Sequence, residues 1–192
     1  MRQAEQTLRE YVLPAHVYSM ACFNDYPLLH WIIRQGEAGN PLLAALVEKK
    51  INLNLLDKYN QTPLHLAAAY GNVEAVHLLL RAGALADEYD WEYCTPLHRA
   101  VIRKHAEVIK VLLDAGVDIN KSGPCGNQSA LHIAAAQGGL DAIQLLLQRG
   151  SDTDLRETVY GMTPIECAID EGHSEIGKVL EAWQSKRTAR AS

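Results

Sequence analysis

Apolar and polar positions along this chain recur in blocks of about 34 residues, a period far longer than that of any single helix or strand. Each block opens on one short pattern: Tyr26-Pro27-Leu28-Leu29-His30, Thr62-Pro63-Leu64-His65, Thr95-Pro96-Leu97-His98, Ser129-Ala130-Leu131-His132 and Thr163-Pro164-Ile165-Glu166. Measured between their last residues, the intervals are 35, 33, 34 and 34. Later in each block comes an aliphatic cluster: Leu78-Leu79-Leu80, Val111-Leu112-Leu113, Leu145-Leu146-Leu147, then Val179-Leu180. A fixed period of this size marks stacked repeats, which cannot bury their apolar faces singly.

Each unit is expected to hold two short helices. Thr62, Thr95, Ser129 and Thr163 suit the N-cap, where a hydroxyl accepts from an orphan helical N–H. The Pro after three of them fits the first helical position, where its missing N–H costs nothing. Gly36, Gly71, Gly138 and Gly172 follow six residues after the anchor and can adopt the left-handed conformation that stops a helix, with Lys104 the exception. The second helix carries the aliphatic cluster and stops before Gly83, Gly116 or Gly150. The polar, turn-rich remainder, such as 84–94, fits an extended finger loop.

The pattern closely resembles the ankyrin repeat, whose signature Thr-Pro-Leu-His-x-Ala is matched in full by Thr62–Ala67 and Thr95–Ala100. Ser129–Ala134 departs only in its first two residues. The resemblance implies an all-α solenoid of about five units, each a helix pair with a β-turn finger, curved around a concave face that binds proteins. The expected organisation is an N-terminal helical cap at 1–24 and an ankyrin domain at 25–185. Its units fall at about 25–58, 59–91, 92–125, 126–159 and 160–185, and a disordered tail at 186–192 follows. The first and last units deviate as caps should: Lys50 and Gln184 stand where the second Gly would be, and Glu166 replaces His.

Charge and composition narrow the function. With 18 basic and 23 acidic residues the net charge is −5, against a general phosphate-binding face and so against nucleic acid. No apolar run approaches the roughly 18 residues of a membrane span, and charges crowd the start where a signal peptide needs apolar residues. Cys22, Cys94, Cys125 and Cys167 are scattered with no Cys-x-x-Cys pair, which reads as reduced thiols in a cytoplasmic protein; a monomer is expected. Asn60, Asn120 and Asn127 begin Asn-x-Ser/Thr triplets that carry no meaning without secretion.

Eight His and four Cys invite a metal site, but His30, His65, His98 and His132 fill one slot of successive repeats. Helices pack about 8–10 Å apart, so one His per layer cannot converge on an ion that needs ligands within about 2.3 Å. These His are expected to bond backbone groups and brace the fingers; no metal and no cofactor is expected. No Gly-x-Ser-x-Gly, phosphate loop or His-Glu-x-x-His is present, so no catalytic residue is assigned. Cys94 and Cys125 fall in finger regions and are expected to be exposed thiols.

Residues the scaffold does not require carry the functional reading. Glu88-Tyr89-Asp90-Trp91-Glu92-Tyr93 interleaves three aromatic rings with three carboxylates in one finger. Exposed rings at a loop tip give large contact area at low entropic cost. The alternative is that Trp91 packs on its neighbour and stiffens the array. The family's inner-face positions are Arg34-Gln35, Ala69-Tyr70, Ile102-Arg103, Ala136-Gln137 and Asp170-Glu171, running from basic to acidic along the stack. Tyr59, Tyr70, Trp91, Glu92, Tyr93, Ile102 and Arg103 are therefore the expected contact residues, forming one patch on the second and third repeats. Asn120, after a Leu-rich helix, matches the placement at which an asparaginyl hydroxylase modifies ankyrin domains. The expected function is an adaptor or scaffold binding another protein. Its alternatives are a stoichiometric inhibitor of a signalling protein, or a microbial effector in a host cytoplasm.

Overall fold

The computed structural model describes residues 22–23 and 26–191. A minimal antiparallel pair, β1 (Cys22–Phe23) and β2 (Tyr26–Pro27), leads into the stack. The expected N-terminal helical cap lies outside the described residues except at Cys22–Phe23, which are strand rather than helix. Five helix pairs follow: α1 (Leu28–Arg34) with α2 (Asn40–Glu48), α3 (Pro63–Tyr70) with α4 (Val73–Arg81), α5 (Pro96–Ile102) with α6 (Ala106–Asp114), α8 (Ala130–Ala136) with α9 (Leu140–Gln148), and α10 (Pro164–Asp170) with α11 (Ser174–Ala191). A single-turn helix, α7 (Pro124–Asn127), sits in one finger. In the first pair, a 3₁₀ turn over Gly36–Gly39 accommodates the extra residues between helices.

The N-terminal logic of the first helices is a reciprocal capping box. Thr62 Oγ1 accepts from His65 N–H, and Thr62 N–H donates to His65 Nδ1 at 3.2 Å. Thr95 with His98 and Ser129 with His132 repeat it. Both orphan donors at each helix start are thus satisfied locally. At Thr163 the carboxylate of Glu166 takes the His role, accepting from Thr163 N–H at 2.7 Å.

The core is one continuous ladder of Leu, Ile, Val and Ala. In α4, Ala75, Val76 and Leu79 are buried while Glu74, His77 and Arg81 face outward, the i, i+1, i+4 spacing of an amphipathic helix. Helices of eight or nine residues are marginal alone, so stability comes from neighbour contacts: α1–α3–α5–α8–α10 touch in series, and α2–α4–α6–α9 do likewise. The outer series is not continued to the same extent from α9 to α11.

Position of the first Gly explains the Lys104 exception. Gly71 is left-handed (φ 70°), and an added Cβ would lie 2.6 Å from His105 Nδ1 of the next unit. Gly138 meets His173 in the same way at 2.9 Å. Lys104, also left-handed at φ 59°, is followed in the next unit by Gly139, which has no ring to clash. The steric demand for Gly is therefore imposed by the neighbour as well as by the helix stop.

The expected disordered tail is instead helical as far as Ala191. Inner units end their second helix at a left-handed Gly83, Gly116 or Gly150, whereas Gln184 occupies that position here and lets α11 run on. Lys50, the other substitution at this position, keeps the left-handed turn at φ 54°.

Candidate protein-interaction surface

Four fingers precede the first helices of units two to five, and three are folded by one buried carboxylate each. Asp57 Oδ1 accepts from Tyr59 N–H (2.8 Å) and Gln61 N–H (2.9 Å). Asp90 Oδ1 accepts from Glu92 and Cys94 N–H, both at 3.0 Å. Glu157 accepts from Val159, Tyr160 and Met162 N–H, and these donors, Met162 foremost, hold its carboxyl below the usual carboxylate range. Asp90 carries a further load: Arg99 Nε donates to its Oδ2 at 2.6 Å, and the Arg99 guanidinium also pairs with Glu92 at 2.6 Å. The sequence reading missed these turn-forming acids, although their place five residues before the Thr anchor (six for Glu157) was a visible signal. The fourth finger has Pro124 there and forms the α7 turn instead.

Histidines in one slot of successive repeats join three of the first helices to the finger that follows. Because Nδ1 accepts from a backbone N–H, the proton of neutral His65, His98 and His132 resides on Nε2. Nε2 of His30 bonds Gln61 O at 2.6 Å, that of His65 bonds Cys94 O at 3.0 Å, and that of His132 reaches Leu155 O and Met162 O at 3.1 Å. The expected bracing role therefore holds for three of the four. His98 differs: the carbonyls of Gln128 and Lys121 favour its charged form, but its Nε2 has no hydrogen-bond partner. Burial dominates and lowers its pKa to about 4. Among the described residues no group of three or more His, Cys, Asp or Glu could hold a metal ion.

Cys94 is buried behind its finger, not exposed as expected, because its N–H and C=O both serve the turn and the His65 bond. Cys167 is buried too, and its thiol is pushed up to about 11 by desolvation first and nearby carboxylates second, which disfavours the reactive thiolate.

The aromatic finger is both linked and open. Trp91 N–H donates to Tyr59 O at 3.1 Å, and the two rings stand 5.4 Å apart at 48°. Trp91 nevertheless leaves 59% of its surface exposed, and Tyr93 leaves 70%. Tyr89 lies edge-on to Tyr93 at 6.4 Å, donates from its hydroxyl to Ser122 O at 2.9 Å, and has Lys121 Nζ 4.7 Å from its ring. Trp91 thus stiffens the row of fingers, as the alternative reading expected, and still leaves a face exposed.

Backbone geometry singles out Tyr93. The residue two before each anchor is left-handed in all four fingers: Asn60 (φ 54°), Tyr93 (φ 59°), Asn127 (φ 65°) and Gly161 (φ 69°). Asn and Gly tolerate that region; a Tyr there is strained.

The structure divides the predicted patch in two. Tyr59, Trp91, Glu92 and Tyr93 cluster on the fingers. Tyr70, Ile102 and Arg103 lie at the far ends of α3 and α5, about 12 Å along an eight-residue helix. Glu92 is engaged by Arg99, and Ile102 is half-buried against the core, while Tyr70 and Arg103 are exposed. Exposed Tyr160 and Val159 extend the finger row into the last unit. Asn120 is explained by the stack: its Oδ1 accepts from Asp152 N–H at 2.9 Å, as Asp87 accepts from Asp118 N–H one layer earlier and Asn54 Oδ1 from Leu85 N–H two layers earlier.

The family model for ankyrin repeats (three copies) matches residues 18–123 and 122–186. The chain belongs to the ankyrin-repeat family. It is 34% identical over 155 residues to the nuclear factor NF-kappa-B p105 subunit of Gallus gallus, covering 79% of this chain and 15% of that protein. The B-cell lymphoma 3 protein homolog of Mus musculus is 31% identical over 191 residues, 88% of this chain and 42% of that one. A putative ankyrin repeat protein of Fowlpox virus is 31% identical over 140 residues, 72% of this chain and 31% of that one. The chain thus spans less than half the length of these relatives. Ankyrin repeats are protein-interaction modules, and no described helix is long and apolar enough to cross a membrane.

Proposed function

We propose that this ankyrin domain works as an adaptor whose protein partner docks on the finger edge of the second and third repeats, with Trp91 and Tyr93 as anchors. The observation that carries this is Tyr93: a bulky, highly exposed side chain held in a left-handed conformation that Asn or Gly fills in the sister fingers. Strain kept at an exposed aromatic is offset in folding only by the edge contact with Tyr89, and such outliers mark functional positions. Trp91 beside it is rigidified by Tyr59, so little side-chain entropy is lost on contact.

A photo-crosslinking amino acid placed at Tyr93, and in a second variant at exposed Lys110 on the outer helix α6, tests the assignment. A partner labelled from position 93 and not from 110, and lost in a folded Trp91→Ala variant, is the expected result. Equal labelling from both positions, or labelling from 93 that survives Trp91→Ala, would place the interface elsewhere.

A further inference from the structure

The outer edge of the last two units holds a second exposed feature, unrelated to the fingers. The earlier second helices touch in series, although a groove of about 550 Å³ also opens between Val47 and Gly83; α11 makes less contact with α9, and a groove of about 490 Å³ opens there. Its walls are Leu147 at the end of α9, the Gly150-Ser151 turn, and Trp183, Lys186 and Arg187 of α11. The last three are spaced i, i+3, i+4 and so share one helical face. Continuation of α11 past Gln184 adds Lys186 and Arg187 to this wall, because the inner units stop their second helix at that point.

The chemistry of the walls is uneven. Trp183, 37% exposed, supplies most of the apolar surface, and Leu147, only 3% exposed, forms the floor. Neither Lys186 nor Arg187 forms an ion pair within the described residues, although the chain is acidic overall. Asp154 accepts from Gln184 Nε2 at 2.6 Å and pairs with neither cation. An apolar slot bordered on one side by two uncompensated cations is complementary to a ligand with a large apolar side chain and an adjacent negative charge.

We propose that this groove binds an acidic peptide segment of a partner protein, seating a Leu or aromatic side chain against Trp183 over the floor at Leu147 and a carboxylate against Lys186 and Arg187. The groove lies on the outer edge of the stack and its occupant is independent of whatever the fingers bind. A domain with two such faces would hold two proteins at once.

Phage-displayed peptides in which a random apolar residue is flanked by Asp and Glu, with a Lys/Arg-flanked library as control, test the proposal on the full chain. Enrichment of acidic peptides that lose roughly tenfold or more in affinity with Trp183→Ala or with Lys186→Glu/Arg187→Glu, but keep it with Trp91→Ala, is the expected outcome. Circular dichroism of each variant separates lost binding from lost folding. Enrichment of basic peptides, or no enrichment over the charge-reversed variant, overturns the proposal. Binding of phosphatidylserine vesicles in the absence of acidic-peptide enrichment would overturn it too, by assigning the cations to a lipid surface.

Discussion

Exchanging the residues two before the anchor in adjacent fingers tests how far Tyr93 departs from what folding requires. Left-handed backbone costs an ordinary L-residue about 1–2 kcal/mol and Asn distinctly less. Asn60→Tyr, at an exposed position with the same φ, should therefore destabilise by about 1 kcal/mol. The reverse change, Tyr93→Asn, recovers a similar amount but gives up the edge contact with Tyr89, worth about 0.5–1.5 kcal/mol. In the native background the two terms nearly cancel. With Tyr89→Ala already in place the contact is gone, and Tyr93→Asn should then stabilise by about 1 kcal/mol. Urea unfolding with an unchanged slope gives each value. A loss above about 1 kcal/mol for Tyr93→Asn in both backgrounds, together with a neutral Asn60→Tyr, would refute the strain argument. The same Tyr93→Asn variant should weaken partner binding by about tenfold or more, separating the residue's role in folding from its role in binding.

Three further outcomes follow from the structure. Asp90→Ala orphans two backbone donors and leaves Arg99, whose side chain is mostly buried, with only Glu92, so about 3–5 kcal/mol should be lost in urea unfolding; Asp57→Ala, where no Arg is involved, should cost only about 1–3 kcal/mol. Gly71→Ala should destabilise by more than about 1 kcal/mol through its left-handed φ and the clash with His105, whereas Lys104→Gly should be neutral or stabilising, as read from thermal unfolding midpoints. Burial lowers the pKa values of His30, His65, His98 and His132, so the unfolded chain binds protons that the native state refuses, and stability is complete above about pH 6.5 and falls as pH drops below it. His98 alone, at about 4, should account for about 2 kcal/mol between pH 7 and 5, and His98→Gln should flatten that part of the profile.

Repeat length, helix pairing and the capping Thr were legible because each depends on local rules written at fixed offsets: a hydroxyl before Pro, Gly at a left-handed stop, aliphatic residues at helical spacing. What escaped was set by neighbours. Nothing at Lys104 itself says that Gly is dispensable there; the reason is Gly139 in the next unit. Cys94 looked like a surface thiol because its finger is polar, yet its backbone had to turn inward to meet His65. Gln184 was read as a divergent cap residue, and its consequence, seven more residues of helix, followed from the missing stop signal rather than from any positive one.

The candidate surface divides along the same line. Trp91, Tyr59 and Tyr93 could be picked from sequence because a scaffold of this kind does not need rings in its fingers. Their division from Tyr70 and Arg103 could not, since helix length puts about 12 Å between positions that look adjacent when repeats are aligned. Position in the repeat reports what the fold demands, and a residue beyond that demand is a candidate for contact. Tyr93 exceeds it in the backbone as well as in the side chain, because its ring is exposed and its φ is one that Asn or Gly would adopt at less cost. Two independent departures at one exposed residue are harder to explain by folding than either alone, and that weighs toward a binding finger over a merely stiffened one.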